Sequence, residues 1–504
     1  MKYKILFWMD TDFTQYCLGY YFQQYSEFEM FGIIDVPNKP KKFFSKQKLV
    51  NFKKIWFYFD YIEKHDVEPD MEYLSKFEKK YSIDLLKLGI NERILYRYND
   101  FYKFSTKEIL LILEQECKLF ESILDEINPD FVIIGWPTLH NKQLFYELAK
   151  SRGIKVLVSF PTKIGKRCAI SSIPHKVHFK TKFDDMESKN ITFEELQKIL
   201  KSDNLSGRVK NTIKNLKNKK SIRLKSAISF LSSENSNIKT HYTYYGRTKF
   251  RVLFYEVNQL LRKFFRYSFI NKKFIKKPDF KKPFIFFPLH LEPEQQTLIS
   301  TPLFTNQIEF IRQVVKSMPV EFELYVKEHM GQAFRFWRPI TYYKEIMEIP
   351  NVKLIHPEVS NDEIYKHCSL VLTLAGTSSF EAGMFGKASI LMGDLDYSVL
   401  PSVYKINGVE NLSEIIKKCL QTKVNPSDVL KYIEMVKENS FEFDFMGFHK
   451  KLHDYFFFEG NLIDVDISEN QMKKFLVDNK NNFKPLIKEY LKKMNYDDNS
   501  KLLF

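Results

Sequence analysis

A chain of 504 residues, 44% hydrophobic and 16% aromatic, holds enough apolar material for a large core and two or three domains, which excludes a disordered protein. Its five cysteines, Cys17, Cys117, Cys168, Cys368 and Cys419, form no C-x-x-C pair and no metal-ligand spacing, so a reducing compartment is expected and a disulfide framework is not. The formal net charge is +16; no apolar run approaches the roughly 18 residues of a membrane span, and the N-terminal run stops at Asp10, too short for a signal peptide, so a cytoplasmic protein is expected.

In chain order, residues 4–9 (KILFWM) read as a buried strand. A long helical pattern over 108–127 runs into the stop signal Asn128-Pro129-Asp130, and 131–135 (FVIIG) is the next strand. An amphipathic helix over 141–152, closed by Gly153, leads to a strand at 155–160 (KVLVSF). Strand, helix and strand in this order predict a parallel α/β unit, and residues 1–180 read as one Rossmann-like domain.

Residues 181–282 read as a basic linker or helical insertion. Between Lys201 and Lys282 there are 22 Lys or Arg against 4 Asp or Glu, so this segment carries essentially the whole net charge. Such a block suits an anionic membrane surface, a phosphate-bearing substrate or nucleic acid. Phe264, Phe265, Tyr267, Phe269 and Phe274 alternate with Arg262, Lys263, Arg266, Lys272 and Lys273, a composition matched to the face of a bilayer. No helix-turn-helix, zinc-finger or RNP pattern accompanies the charge, so nucleic acid is not expected as a partner.

A second α/β series fills 283–424. Its strands are expected at 283–288, 322–327, 352–355, 370–374 and 388–392, with helices at 306–318 and 361–367, the latter opened by a capping box from Ser360 to Glu363. The remaining residues, 425–504, read as C-terminal helices, including 471–494, packing back on the N-terminal domain. Two parallel α/β domains joined by a linker leave a cleft between the carboxyl ends of their sheets, where small ligands bind.

The stretch 371–387 (VLTLAGTSSFEAGMFGK) joins a strand, a turn of small hydroxyl-bearing residues and a helix stopped by Gly386. Amides at a helix N-terminus make such a turn an anion site, although the same Ser and Thr residues serve equally as helix caps. No Walker A loop, G-x-G-x-x-G, H-E-x-x-H or nucleophile elbow occurs, so ATP hydrolysis, dinucleotide redox chemistry, zinc proteolysis and serine hydrolysis have no support.

Four segments, PLHLEPE at 288–294, VKEH at 326–329, NVKLIHP at 351–357 and GTSSFEA at 376–382 with Gly386-Lys387, resemble the capsule and surface polysaccharide biosynthesis proteins. These are GT-B-type glycosyltransferases that include enzymes transferring Kdo from a CMP-sugar. The resemblance covers residues 283–400, the N-terminal domain only in layout, and the basic segment not at all. Met330 stands where family members often carry proline after the histidine of Lys-x-His, and a His-Pro pair occurs instead at His356-Pro357.

The resemblance implies a GT-B-like fold of two Rossmann-like domains facing a cleft. It implies a metal-independent glycosyltransferase, inverting rather than retaining, that needs no cofactor beyond a CMP- or UDP-sugar donor. The acceptor would be a growing surface or capsular glycan, free or lipid-linked, at the cytoplasmic face of a membrane. Gly376, Thr377, Ser378 and Ser379 are the expected phosphate grip, with Lys327 and His329 adding a charge and a donor at the end of their strand. Glu381 is expected at the ribose hydroxyls and the backbone of Ile355 and His356 at the base. Glu292 and Glu294 look toward acceptor or sugar, or cap the helix beyond Pro293. For the base that takes the acceptor proton the candidates are Asp12 and Asp10, at the end of the first strand, ahead of His140. Asp10-Thr11-Asp12 also matches a D-x-D metal motif, which is discounted because the match is short and GT-B enzymes generally work without metal. The competing readings are a sugar-nucleotide 2-epimerase of the same fold and a non-catalytic glycan-assembly protein.

Overall fold

The computed structural model describes residues 3–25, 28–202 and 220–495. Part of the basic segment, 203–219, and the end of the expected tail, 496–504, lie outside the described residues.

Six strands come from the first third of the chain: β1 Tyr3–Asp10, β2 Phe28–Asp35, β3 Lys54–Phe57, β4 Phe131–Gly135, β5 Lys155–Pro161 and β6 Arg167–Ser171. Six more follow the basic segment: β7 Phe284–Pro288, β8 Glu323–Lys327, β9 Val352–Ile355, β10 Leu370–Thr373, β11 Ser389–Leu391 and β12 Val403–Lys405. A two-residue strand, β13 Phe441–Glu442, returns to the first sheet. The sheets run β13-β6-β5-β4-β1-β2-β3 and β12-β11-β10-β7-β8-β9. All neighbours are parallel except at β5-β6 and β6-β13. Each sheet thus starts in its middle and reverses direction once, at β1/β4 and at β7/β10. This is the Rossmann-like order, and it opens a crevice at the carboxyl ends of those strand pairs.

Both faces of each sheet are buried, as parallel sheets require. Along β1, Ile5, Phe7 and Met9 point into one core while Leu6 and Trp8 point into another, the two-residue alternation of a strand. The tail divides between the lobes. The helix Pro426–Glu438 packs on the second lobe through Val429, Tyr432, Ile433 and Val436, whereas Phe445–Phe456 and Glu469–Lys493 cover the β1 face of the first.

Several local expectations shift. The helix over 108–127 begins at Thr106, behind a capping box in which the Glu108 amide donates to Ser105 Oγ at 3.2 Å and the Ser105 amide to Glu108 Oε2 at 2.9 Å. The capping box expected at Ser360 is not formed: Asn361–His367 begins there with no side-chain cap. The motif helix spans Ser378–Gly383, and Gly386, at φ +71, closes it. The basic segment contains a 25-residue helix, Lys249–Lys273, about 37 Å long.

Candidate active site

In the second lobe the residues after β7 and β10 meet at the switch point. His290 Nε2 accepts from the Leu374 amide at 3.2 Å and lies 3.0 Å from Thr373 Oγ1, which in turn accepts from the Gly376 amide at 3.2 Å. Nε2 is therefore an acceptor and the ring is neutral; burial, then the neighbouring His329 and Arg338, lower its pKa to about 3. Gly376 is required here, because a Cβ would come within 2.7 Å of Thr373 Oγ1 and 3.1 Å of the His290 ring. Thr377 and Ser378 open the helix, where amides have no preceding carbonyl to bond. Ser379 is buried and its hydroxyl pairs with that of Ser389, so its side chain is a core contact and cannot grip a phosphate. Glu381 accepts from Thr377 Oγ1 at 2.7 Å and from the Tyr365 hydroxyl at 2.9 Å, and burial raises its pKa.

A buried hub holds this region together. Arg338, 3% exposed, pairs with both carboxylate oxygens of Glu328, donates to Glu292 at 3.3 Å and to the His290 carbonyl. Glu328 also accepts from Tyr343 at 2.7 Å, and Glu292 from Gln307 at 2.6 Å. Glu292 is consumed by this network and does not look toward an acceptor. Lys327 Nζ donates to Asn361, and His329 Nδ1 accepts from the Gly331 amide at 3.1 Å. Burial, with Arg338, Lys327 and Arg335 adding to it, lowers the His329 pKa to about 4.

The base-contacting role expected of Ile355 and His356 fails on geometry. The His356 amide donates to the Ile275 carbonyl at 2.9 Å, and the Ile275 amide takes the Leu354 carbonyl at 2.9 Å. The ring Nδ1 of His356 accepts from the Glu358 amide at 3.3 Å, and Nε2 faces Asn271 at 3.2 Å. The chain leaving the long helix occupies this edge.

In the first lobe, Asp10 ends β1 in an ion pair with Lys142 and accepts from the Asp12 amide at 2.8 Å. Burial would raise its pKa, but Lys142 outweighs that and holds it below the usual value. Asp35, beside Asp10 in register, is raised to about 7 by burial and by the Asp10 charge. His140 is buried between Glu92 at 3.1 Å and Glu116 at 3.0 Å. Burial opposes its charge, yet the two carboxylates prevail and raise it to about 10, so the ring is already a cation near neutral pH and cannot act as a base. Asp12 instead lies 3.1 Å from His449 Nδ1, contributed by the C-terminal tail. Burial would lower His449, but Asp12 holds it above its ordinary value.

Between the lobes lies a cavity of about 290 Å³, lined by Glu92, Thr138 and Gln143 from one and Leu298 and Pro302 from the other; Glu294 and the residues of 376–381 do not line it. Glu294 is raised by burial while Arg335 of its own lobe and Lys163 and Arg93 of the opposite one act against that rise. Three cations therefore surround one carboxyl group, an environment for an anionic ligand. Sequence reasoning missed Arg93, Lys163, Arg335, Arg338 and His449. None sits in a local pattern, and His449 is 437 positions from its partner. Among the described residues no group of three or more His, Cys, Asp or Glu side chains is arranged to hold a metal ion.

No protein-family model matches this chain, and no curated protein matches it. Solved structures that resemble it include UDP-GlcNAc 2-epimerase from Methanocaldococcus jannaschii, at 13% identity over 87% of this chain and 99% of that one, TM-score 0.26. The KpsC β-Kdo 2,7-transferase of Thermosulfurimonas dismutans resembles it at 12% identity over 63% and 80%, TM-score 0.28. The N-terminal domain of Candida albicans trehalose-6-phosphate phosphatase does so at 11% identity over 90% and 96%, TM-score 0.29. Likenesses this slight leave the chemistry to the residues.

Proposed function

We propose that this chain is a metal-independent, inverting glycosyltransferase that moves a sugar from a CMP- or UDP-linked donor to a surface or capsular glycan on the cytoplasmic side of a membrane. The observation that carries this reading is the convergence at the β7/β10 switch point, where a glycine-opened helix start sits against neutral His290 and Lys327 acts electrostatically on Glu381. Transfer breaks the bond between sugar and phosphate, and negative charge grows on the departing phosphate. The Thr377 and Ser378 amides with Lys327 supply donors to that charge, each worth about 2 to 4 kcal/mol in analogous oxyanion sites. Glu381 takes the ribose hydroxyls by exchanging its bonds to Thr377 and Tyr365. For the acceptor proton, the pair of Asp12 and His449 replaces Asp10 and His140: Asp12 orients Nδ1 and leaves Nε2 as the base.

The test is thermal shift and calorimetry with CMP, CDP, UDP, GDP and ADP on the wild type, Lys327→Met and Glu381→Gln. Selective stabilisation by one nucleotide, weakened in both variants, is expected. Absence of binding at millimolar nucleotide would leave the non-catalytic reading. A second reading, sugar-nucleotide 2-epimerase, is favoured by Glu294, a carboxyl group held toward its protonated form among Arg335, Lys163 and Arg93 and suited to moving a proton at a sugar carbon. Incubation with UDP-GlcNAc in deuterated water, without acceptor, tests this second reading: epimer carrying deuterium marks an epimerase, and unchanged donor counts against it.

A further inference from the structure

The helix Lys249–Lys273 turns an apolar stripe toward solvent. Phe250, Phe254, Val257, Leu261 and Phe264 recur at steps of four and three, which places them on one side of the helix. They are 86%, 74%, 58%, 59% and 72% exposed. A second helix, Lys220–Ser232, carries exposed Leu224, Ile228 and Leu231 at the same spacing. Lys249 donates to the Leu231 carbonyl at 2.6 Å, and Arg223 acts electrostatically on Glu256 and Lys263. The two helices therefore run side by side in opposite directions. Soluble proteins rarely leave so long an apolar strip uncovered.

Charge identifies the occupant. The long helix has seven Lys or Arg against one acidic residue, Glu256, and the chain beyond it adds Lys276, Lys277, Lys281 and Lys282. Arg251 and Arg262 each follow a stripe residue by one position, which sets them along its border. A second copy of the chain seated on this face would bring two cationic borders together, at a cost in repulsion. An anionic bilayer satisfies both features, with apolar side chains entering the acyl boundary and Lys and Arg at the headgroups. No described helix is long and apolar enough to cross a membrane.

We infer that this helix pair lies in the plane of an anionic membrane and docks the protein there. The docking element is fastened to both lobes. Tyr255 donates to Asp100 of the first lobe at 2.9 Å. Arg266 donates to the Phe336 and Trp337 carbonyls of the second at 3.1 and 2.9 Å, and Ile275 pairs with Ile355 at the sheet edge. Contact with a bilayer consequently fixes both walls of the cleft relative to the membrane surface. This inference stands on the helix pair and holds for either reading of the cleft.

The test is flotation of the full chain with vesicles of phosphatidylcholine alone and with vesicles containing about a third phosphatidylglycerol. Binding only to the anionic vesicles is expected, falling with salt. Phe250→Ser/Phe254→Ser/Phe264→Ser, at solvent-exposed positions, should weaken it at least about tenfold with an unchanged melting temperature. As an independent readout, Phe254→Trp should be quenched by brominated acyl chains. Equal flotation of the triple variant and the wild type, absence of quenching, or a concentration-dependent dimer that the triple variant abolishes while no vesicle is bound, would each overturn the inference.

Discussion

Arg338 shows how a single side chain sets the second lobe's site. It joins the His290 carbonyl after β7, Glu292 beyond it and Glu328 after β8, so the loops that carry His290 and His329 share one buried guanidinium. Arg338→Met would leave Glu328, 1% exposed, without its cation. A cost of about 3 to 5 kcal/mol is expected, read as a lower urea midpoint together with loss of nucleotide-induced stabilisation. Arg338→Lys should recover only part of this, since an ammonium cannot engage both carboxylate oxygens as the guanidinium does. In the first lobe His140 makes stability depend on pH. Its pKa rises from 6.5 unfolded to about 10 folded, so its contribution is complete below pH 6.5 and disappears as pH climbs through about 10. Asp35, raised from 3.8 to about 7, adds a loss of the same sign at lower pH. Urea midpoints of the wild type should therefore fall between neutral and alkaline pH, and His140→Gln should flatten that slope while lowering the midpoint at pH 7. At this scale the sequence displayed Gly376 and Glu381, whose small and hydroxyl-bearing neighbours form a local pattern. Arg338 and His449 were hidden, because their roles arise only from partners that the fold brings to them.

At the scale of elements, legibility followed length and periodicity. β4 and the strand and helix around it were readable because four buried apolar residues and a glycine lie between clear stop signals. β3, β12 and β13 have four, three and two residues, too few to establish an alternation. β2 is interrupted by Glu29 and Gly32. Caps show the limit of motif reading: Ser105 and Ser360 begin the same S-x-x-E spacing, yet only the first forms its bonds. Ser105→Ala should cost about 1 kcal/mol and Ser360→Ala only a few tenths, a difference measurable by urea unfolding of the two variants. Hydroxyl chemistry alone does not make a cap; the backbone entering the helix must aim the side chain at the amide.

On the scale of the whole molecule, the cleft was legible as two α/β series separated by a basic segment, while the distribution of the tail was not. Helical periodicity indicates which side of a helix is apolar and leaves open which lobe receives it. The long helix between the lobes was likewise visible only as alternating aromatic and basic residues. Its attachments at Asp100, Phe336 and Ile355 are long-range contacts that convert a linker into a strut.

The return of the tail to the first sheet governs the order in which a growing chain becomes a folded one. The core around Phe7, Phe13 and Tyr16 is closed by Phe448, Phe456, Phe475 and Tyr490, which are made after the strands of both lobes. The second lobe, whose strands end at Lys405 and whose covering helix ends at Glu438, is complete earlier. A chain truncated after residue 439 should resist protease over the second lobe and be cut within the first, and extension through Lys493 should remove those cuts. The lobe synthesised before the other is thus the one that matures after it, and until then its apolar sheet face depends on whatever shelters nascent chains.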